Sequence, residues 1–241
     1  MASTLPDPPA SFLRRFRWPI AGLVAAVLAV TAGPFIYINV IKAEPAERLT
    51  LDDLGTSTTA APGLEPTLDG IDGTWSITDT SRVQYRVQET LLGQGAEATG
   101  TADGISGTAT ISGTTVSGVE VAVDMTTFAS DEARRDGQFQ GRIMETSEFP
   151  TAAFTLTEPI ELGTLPVDGT DVTVEVTGEL TMHGVTNSIT FQLVARLAGS
   201  TFAVNATIPI TFTDYGIDDP SGGPASVGTD GELELLLVFA R

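Results

Sequence analysis

The only histidine of the chain, His183, lies in the stretch GELTMHGVTNSITF (residues 178–191). It is a candidate general base or metal ligand, and also a candidate turn residue because Gly184 follows it. A hydrolytic triad needs a nucleophile, a base and an orienting group, and no G-x-S-x-G motif accompanies the histidine. A zinc site needs three or four ligands, which one histidine and no cysteine do not supply. We therefore interpret His183 as a turn residue, with a contact to a ligand at a rim as the second interpretation.

Two charged clusters are the other candidates for chemistry. Arg134 and Arg135 are adjacent, and paired arginines suit phosphate or carboxylate head groups. The alternative for these arginines is a local salt bridge with the acidic residues around them. Calcium is considered for Asp214, Asp218 and Asp219, but their spacing fits no EF-hand loop. We interpret these aspartates as a solvated loop and predict no metal and no cofactor.

Composition and charge exclude several classes of function. The chain has 241 residues, with 12 Lys and Arg against 31 Asp and Glu, for a net charge of −19. Such an acidic chain is repelled by phosphate backbones, which argues against nucleic-acid binding. The absence of cysteine excludes disulfides, thiolate metal sites and cysteine nucleophiles.

The N-terminal region contains an uncharged apolar run from Pro19 to Ile41. This run exceeds the roughly 20 residues that cross a bilayer as a helix. Because arginines precede it, we predict a cytoplasmic tail at 1–18, a transmembrane helix at 19–41 and an extracytoplasmic remainder. An atypical signal peptide is the alternative. Residues 42–72 are rich in Ala, Thr, Pro and Asp and are predicted to be a flexible linker.

Apolar and polar residues alternate through much of residues 73–241. The longest runs are DVTVEVTGELTM (171–182), TFAVNATIPITF (201–212) and ELELLLVF (232–239). Alternation is typical of strands with one apolar face, and the polar breaks between runs favour antiparallel hairpins. About eight strands of this kind predict a barrel or a sandwich. One helical segment is predicted after Ser130, which would cap it, and before Pro150.

Several motifs in this region resemble those of the YceI-like family, the lipocalin-like barrels also called polyisoprenoid-binding proteins. They are GTWSIT with Ser81 following, VEVAVDMTTFASDEARRDGQF, ETSEFPTAAF, GELTMHGVTNSITF and ITFTDYGI. The resemblance covers residues 73–241. It implies an all-β, eight-stranded antiparallel barrel with an apolar cavity that binds a long-chain lipid outside the cytoplasm. Gly137 and Gln138 replace the polar residue that often follows the Arg-Asp pair in the family.

The aromatic residues of this region either line a lipid cavity or fill a core, and alternation alone does not separate the two. The resemblance favours a cavity, with these candidate ligand-binding residues: Trp75, Tyr85, Phe128, Phe139, Phe149, Phe154, Phe191, Phe202, Ile208, Phe212 and Tyr215. Arg134 and Arg135 are the candidate head-group contacts. We predict a membrane-anchored protein that holds a polyprenyl or fatty-acid derivative, not an enzyme. The alternative is an interaction module with a filled barrel and an acidic partner-binding face, and a homodimer is left open.

Overall fold

The computed structural model of the chain describes residues 44–54, 71–91, 93–163, 169–222 and 225–241, together with Leu23 and Ala26. Over these residues, none of the helices has the length and apolar character needed to cross a membrane. The predicted tail at 1–18 and the predicted span at 19–41 lie outside the described residues, except for Leu23 and Ala26, which are helical.

One antiparallel sheet of twelve strands dominates the described part of the chain. Its strands are β1 (Gly73–Ile77), β2 (Arg82–Leu91), β3 (Gln94–Ala102), β4 (Ile105–Ser112), β5 (Thr115–Asp124), β6 (Thr151–Leu156), β7 (Ile160–Glu161), β8 (Asp171–Met182), β9 (Val185–Ala198), β10 (Thr201–Thr211), β11 (Ala225–Val227) and β12 (Asp230–Ala240). The helix α1 spans Ala133–Gln138 and continues into a π-helical turn at Phe139–Ile143. Short 3₁₀ turns occupy Leu51–Leu54, Met125–Thr127 and Phe212–Tyr215.

Eight of these strands close into the predicted antiparallel barrel. The ring runs β1, β4, β5, β6, β8, β9, β10, β12 and returns to β1. The closing contact is short, with Ser76 opposite Ala240 and Ile77 opposite Phe239. Ser81 secures this corner because its buried hydroxyl accepts a hydrogen bond from the Val238 amide at 2.9 Å. A closed ring leaves no long unpaired edge.

The β2–β3 hairpin extends the sheet from β12 at the other end of the barrel. There β12 pairs with β2 from Arg82 opposite Leu236 to Arg86 opposite Glu232. Beyond β2, the last strand β3 meets the connection between β5 and β6 through the Thr101–Ala129 bridge. This connection, residues 125–150, is named here the helical segment. It places α1 beside the end of the barrel where the hairpin departs.

The helix α1 begins later than the sequence predicts. Ser130 does not cap α1, because the side chain of Glu132 accepts the hydrogen bond from the Arg134 amide at 3.3 Å. The Ser130 hydroxyl instead donates to Asp136 at 2.6 Å. The predicted cap at Ser130 is therefore wrong: this serine closes a turn that precedes the helix.

Residues 44–54, named here the strap, lie against the outer wall of the barrel. Leu51 is buried there with the outward-facing Ala203, Leu236 and Val238. Arg48 lies within 2.7 Å of the Glu234 carboxylate on β12. This part of the predicted flexible linker is thus folded onto the domain. Residues 55–70 of that linker lie outside the described residues.

Candidate functional site

The interior of the barrel contains an apolar cavity of about 190 Å³, named here the inner chamber. The chamber follows from the alternation of the strands, because the inward residues of β8, β9, β10 and β12 are aliphatic or aromatic. On β12, for example, Leu233, Leu235, Leu237 and Phe239 face the chamber, as their odd-numbered spacing predicts. A single charged residue, Arg196, lies among the described lining residues, and it is paired with Asp171 at 2.5 Å.

A second cavity of about 660 Å³, named here the vestibule, lies between the barrel, the β2–β3 hairpin and the helical segment. Both cavities are lined by Met125, Phe128, Met182 and Leu233, so these four residues form the boundary between them. Methionine side chains are unbranched and adapt easily to the shape of a ligand. The two cavities are therefore adjacent, and the two methionines make the boundary between them adaptable.

Most of the predicted ligand-binding residues lie in the walls of these cavities. The inner chamber is lined by Trp75, Phe154, Phe191, Phe202 and Ile208. Tyr85, Phe139 and Phe212 line the vestibule, and Phe128 contacts both cavities. Several of these rings pack on one another: Tyr85 stacks on Phe139 with ring centroids 5.2 Å apart, and Phe202 stacks on Phe239 at 4.6 Å.

Two of the predicted aromatic residues do not line either cavity. Phe149 packs edge-on against the His183 ring, with centroids 4.6 Å apart. Tyr215 is buried in the core next to the end of β10, and 3% of its surface is exposed. Both residues stabilise the loops around the β8–β9 turn, so the structure assigns them to packing and not to the cavity walls.

The rim of the vestibule carries the two candidate head-group arginines. Arg135 is half-buried, donates a hydrogen bond to Asp131, and lies 3.8 Å from Glu89. Burial lowers the pKa of Arg135, but the hydrogen bond to Asp131 and the charges of Asp131 and Glu89 together raise the pKa above its usual value. Arg134 is exposed at the same rim. Arg135 thus forms the local salt bridge that the sequence offered as the alternative, and adds a second contact to β2.

Tyr85 places a polar group in the vestibule wall. Burial of its ring raises the pKa of the hydroxyl to about 12, and the nearby Asp136, Asp131 and Glu89 act in the same direction while Arg135 opposes them. The Tyr85 hydroxyl is therefore neutral at physiological pH, when it can donate or accept a hydrogen bond.

His183 occupies the predicted turn. It forms a two-residue hairpin loop with Gly184 between β8 and β9, and both residues have positive φ, 51° and 76°. Such a turn requires left-handed residues, and histidine adopts that conformation more readily than most non-glycine residues. The imidazole Nε2 lies 3.2 Å from the Glu145 carboxylate, and Nδ1 lies 3.2 Å from the Tyr215 carbonyl. These contacts join the turn to the helical segment.

The aspartates considered for calcium are separated into different local roles. Asp219 accepts a hydrogen bond from the Ser221 amide at 2.8 Å, and the Asp214 carbonyl accepts one from Asn187 at 2.7 Å. Across residues 44–54, 71–91, 93–163, 169–222 and 225–241, no group of three or more His, Asp or Glu side chains is arranged to hold a metal ion.

A closed antiparallel barrel of eight strands around an apolar chamber places this molecule among the small β-barrels. The model of the YceI-like domain family matches residues 75–239 of the chain. The chain therefore belongs to the YceI-like domain family, as the sequence motifs predict.

Individual relatives agree with this assignment. A "UPF0312 protein" of Pseudomonas putida is 29% identical over 124 residues, which cover 48% of this chain and 61% of that protein. The corresponding protein of Pseudomonas fluorescens is 30% identical over 125 residues, covering 48% of this chain and 60% of that protein. The matched region thus spans about three fifths of these relatives.

Two solved structures share the fold. A polyisoprenoid binding domain from Saccharophagus degradans, implicated in plant cell wall breakdown, superposes with a TM-score of 0.57 at 20% identity. That match covers 69% of this chain and 98% of the other. Burkholderia cenocepacia BcnA superposes with a TM-score of 0.54 at 17% identity, covering 67% of this chain and 98% of the other. At these identities the likeness concerns the fold.

Sequence reasoning missed the acidic and aliphatic parts of the cavity walls. Glu89, Asp131, Glu132 and Glu232 line the vestibule beside the arginines, and Met125 and Met182 form part of the boundary. Met182 has the inward parity of β8, which is a usable signal. No sequence pattern predicts the acidic residues of the vestibule, because their position depends on how the β2–β3 hairpin and the helical segment meet.

Proposed function

We propose that this protein is a membrane-anchored, extracytoplasmic lipid-binding protein that holds a polyprenyl or long-chain fatty derivative in its barrel. The observation that carries the proposal is the apolar inner chamber with the vestibule adjacent to it. A ligand that fills these cavities gains about 0.8 kcal/mol for each buried methylene. The description of the Saccharophagus degradans structure as a polyisoprenoid binding domain supports this ligand class.

The inner chamber favours lipid binding over the filled-barrel alternative. A packed interior would leave no cavity larger than a few water molecules. Here the barrel encloses a chamber of about 190 Å³ with aliphatic and aromatic walls, and the vestibule adjoins it. Apolar surface left open in this way is stabilised when an apolar ligand covers it.

Membrane attachment is proposed from the uncharged run at 19–41. The strap contacts the barrel from Ala46, whose amide donates to Thr99 at 3.0 Å, so four residues lie between the end of this run and the first contact. Five peptide units span at most about 18 Å. An anchored chain would therefore keep its lipid-binding barrel close to the bilayer surface, where a long-chain lipid is available.

The full chain, purified from its host in mild detergent, tests the proposal by native mass spectrometry. We expect a population of protein with a bound mass of several hundred daltons, which solvent extraction identifies as a long-chain lipid. The protein should also be recovered in the membrane fraction with its N-terminal residues retained. A chain that carries no lipid and takes up no added geranylgeraniol would refute the binding function. A mature N-terminus near Glu44 would refute the anchor alone.

A further inference from the structure

We propose that the lipid held by this barrel has an uncharged or cationic head group, and that phosphate and carboxylate head groups are rejected. This inference rests on the proposed function and names the class of ligand more narrowly. It is drawn from the charged residues of the vestibule. A lipid with its tail in the inner chamber would have to place its head group in the vestibule.

Arg135 is already bound by two carboxylates. Its guanidinium donates to Asp131, and its other terminal nitrogen lies 3.8 Å from Glu89, a residue whose side chain is 11% exposed. The Arg135 side chain is itself 18% exposed. A phosphate that bound this arginine would have to displace two partly buried carboxylates from it. Breaking a partly buried ion pair is costly, so Arg135 is a poor anion receptor.

The rim charges are negative in sum. Three carboxylates line the vestibule, from Glu89, Asp131 and Glu132, against the two guanidinium groups of Arg134 and Arg135. Glu232 also borders the vestibule, but its carboxylate pairs at 2.8 Å with Arg48 of the strap on the outer wall. The summed charge of the side chains around the vestibule remains negative, within a chain whose net charge is −19. An anionic head group therefore meets repulsion both at the rim and on approach.

Apart from the exposed Arg134 at the rim, the polar groups that remain available in the wall are neutral. The Tyr85 hydroxyl keeps its proton, since burial raises its pKa to about 12. Gln138 contributes an amide on the opposite side, from the end of α1. A phenol and an amide hydrogen-bond well to hydroxyl, carbonyl or amine groups, and neither supplies the positive charge that a phosphate needs.

A competition among lipids with one tail and three head groups tests the inference. The full chain is stripped of lipid and offered equal amounts of geranylgeraniol, geranylgeranylamine and geranylgeranyl phosphate, and the bound masses are compared by native mass spectrometry. We expect the alcohol and the amine each to exceed the phosphate by roughly tenfold. The difference should shrink at high salt, since added ions screen the rim charges.

Paired variants localise the effect. The double variant Glu89→Gln, Asp131→Asn releases Arg135 and should raise phosphate binding relative to the alcohol by roughly tenfold. The control double variant Glu120→Gln, Glu179→Gln removes the same charge from exposed positions on β5 and β8 and should leave the ratio unchanged. If the phosphate binds as well as the alcohol to the unaltered chain, the head-group inference fails while lipid binding stands. If none of the three lipids binds the folded protein, the proposed function fails as well.

Discussion

Arg86 and Glu234 form an ion pair that is buried on the outside of the barrel, with Nε of the arginine 2.7 Å from Oε1 of the glutamate. Their side chains are only 5% and 1% exposed. The strap covers them, because the Arg86 guanidinium also donates to the Ala46 carbonyl at 2.8 Å and the Leu49 amide donates to Glu234 at 3.3 Å. Burial would lower the pKa of Arg86, but its hydrogen bonds to Glu234 and Glu97 raise it.

Replacing Glu234 by Gln should destabilise the domain strongly. The change leaves the buried Arg86 with Glu97 as its remaining carboxylate, and removing one partner of a buried pair costs about 3–5 kcal/mol. We expect the lower end of that range from urea denaturation. Glu232→Gln is the matched control, since Glu232 contacts the same Arg48 but is 40% exposed, and an exposed pair contributes less than about 1 kcal/mol. Equal and small losses in the two variants would show that the pair is not buried in solution.

Loosening the strap should expose a trypsin site. Arg48 lies within it, and cleavage after an arginine requires the local chain to leave the barrel wall. Leu51→Ala removes a side chain that is 7% exposed against Ala203 and Val238, so cleavage after Arg48 should accelerate several-fold. Asp52→Asn is the control, because Asp52 is 86% exposed and its loss should change the rate little. Rapid cleavage after Arg48 in the unaltered chain would contradict a docked strap.

The barrel was predictable from sequence because the alternation of apolar and polar residues is a local pattern that recurs from strand to strand. The parity of Phe202 and Ile208 on β10 places both in the wall of the inner chamber, as their spacing predicts. The strap was not predictable, since AERLTLDDL has no sustained apolar period. Its partners, such as Glu234, lie more than 180 residues away in the chain and are recognised only after the barrel has formed.

At the vestibule, too, one contact of Arg135 was predictable from sequence and another was not. The pair between Asp131 and Arg135 follows from their spacing of four residues and was among the interpretations of the sequence. The contact between Arg135 and Glu89 depends on the docking of α1 beside β2, which no local pattern encodes. The positions of Phe149 and Tyr215 outside the two cavity walls were not predictable for a similar reason: the conformation of the loops around His183 decides where their rings point.

Changes in the β8–β9 turn should separate the roles of its two residues. His183→Gln should alter stability by less than about 1 kcal/mol and leave any lipid load unchanged, because the exposed contact to Glu145 contributes little. Gly184→Ala should cost more, roughly 1–3 kcal/mol, since its φ is 76° and a Cβ would lie 2.7 Å from the Phe149 ring. Urea denaturation and native mass spectrometry measure both. A more than tenfold loss of lipid in His183→Gln would instead identify a ligand contact.

Stability at alkaline pH should depend on Tyr85. Its folded pKa of about 12 exceeds the ordinary tyrosine value of 10.0, so between these values the folded chain holds a proton that the unfolded chain has released. Stability should therefore fall as pH rises through this window, by at most about 1.4 kcal/mol per pH unit. Tyr85→Phe should remove this part of the decline, as followed by urea denaturation at pH 9 to 11.5 in steps of about half a unit. Parallel declines in the two proteins would show that the hydroxyl is solvated.

Filling the inner chamber should expel its ligand without unfolding the barrel. Ile208 is 6% exposed and faces the chamber from β10, so Ile208→Trp directs a large ring into the space that the lipid tail would occupy. We expect the co-purifying lipid to be lost or shortened, with a stability loss below about 1.5 kcal/mol, whereas overpacking a filled core costs about 1–3 kcal/mol. Thr207→Trp, on the exposed face of the same strand, is the control and should retain the lipid. A strongly destabilised Ile208→Trp variant, together with an unaltered protein that never carries lipid, would favour the interaction module with a filled barrel.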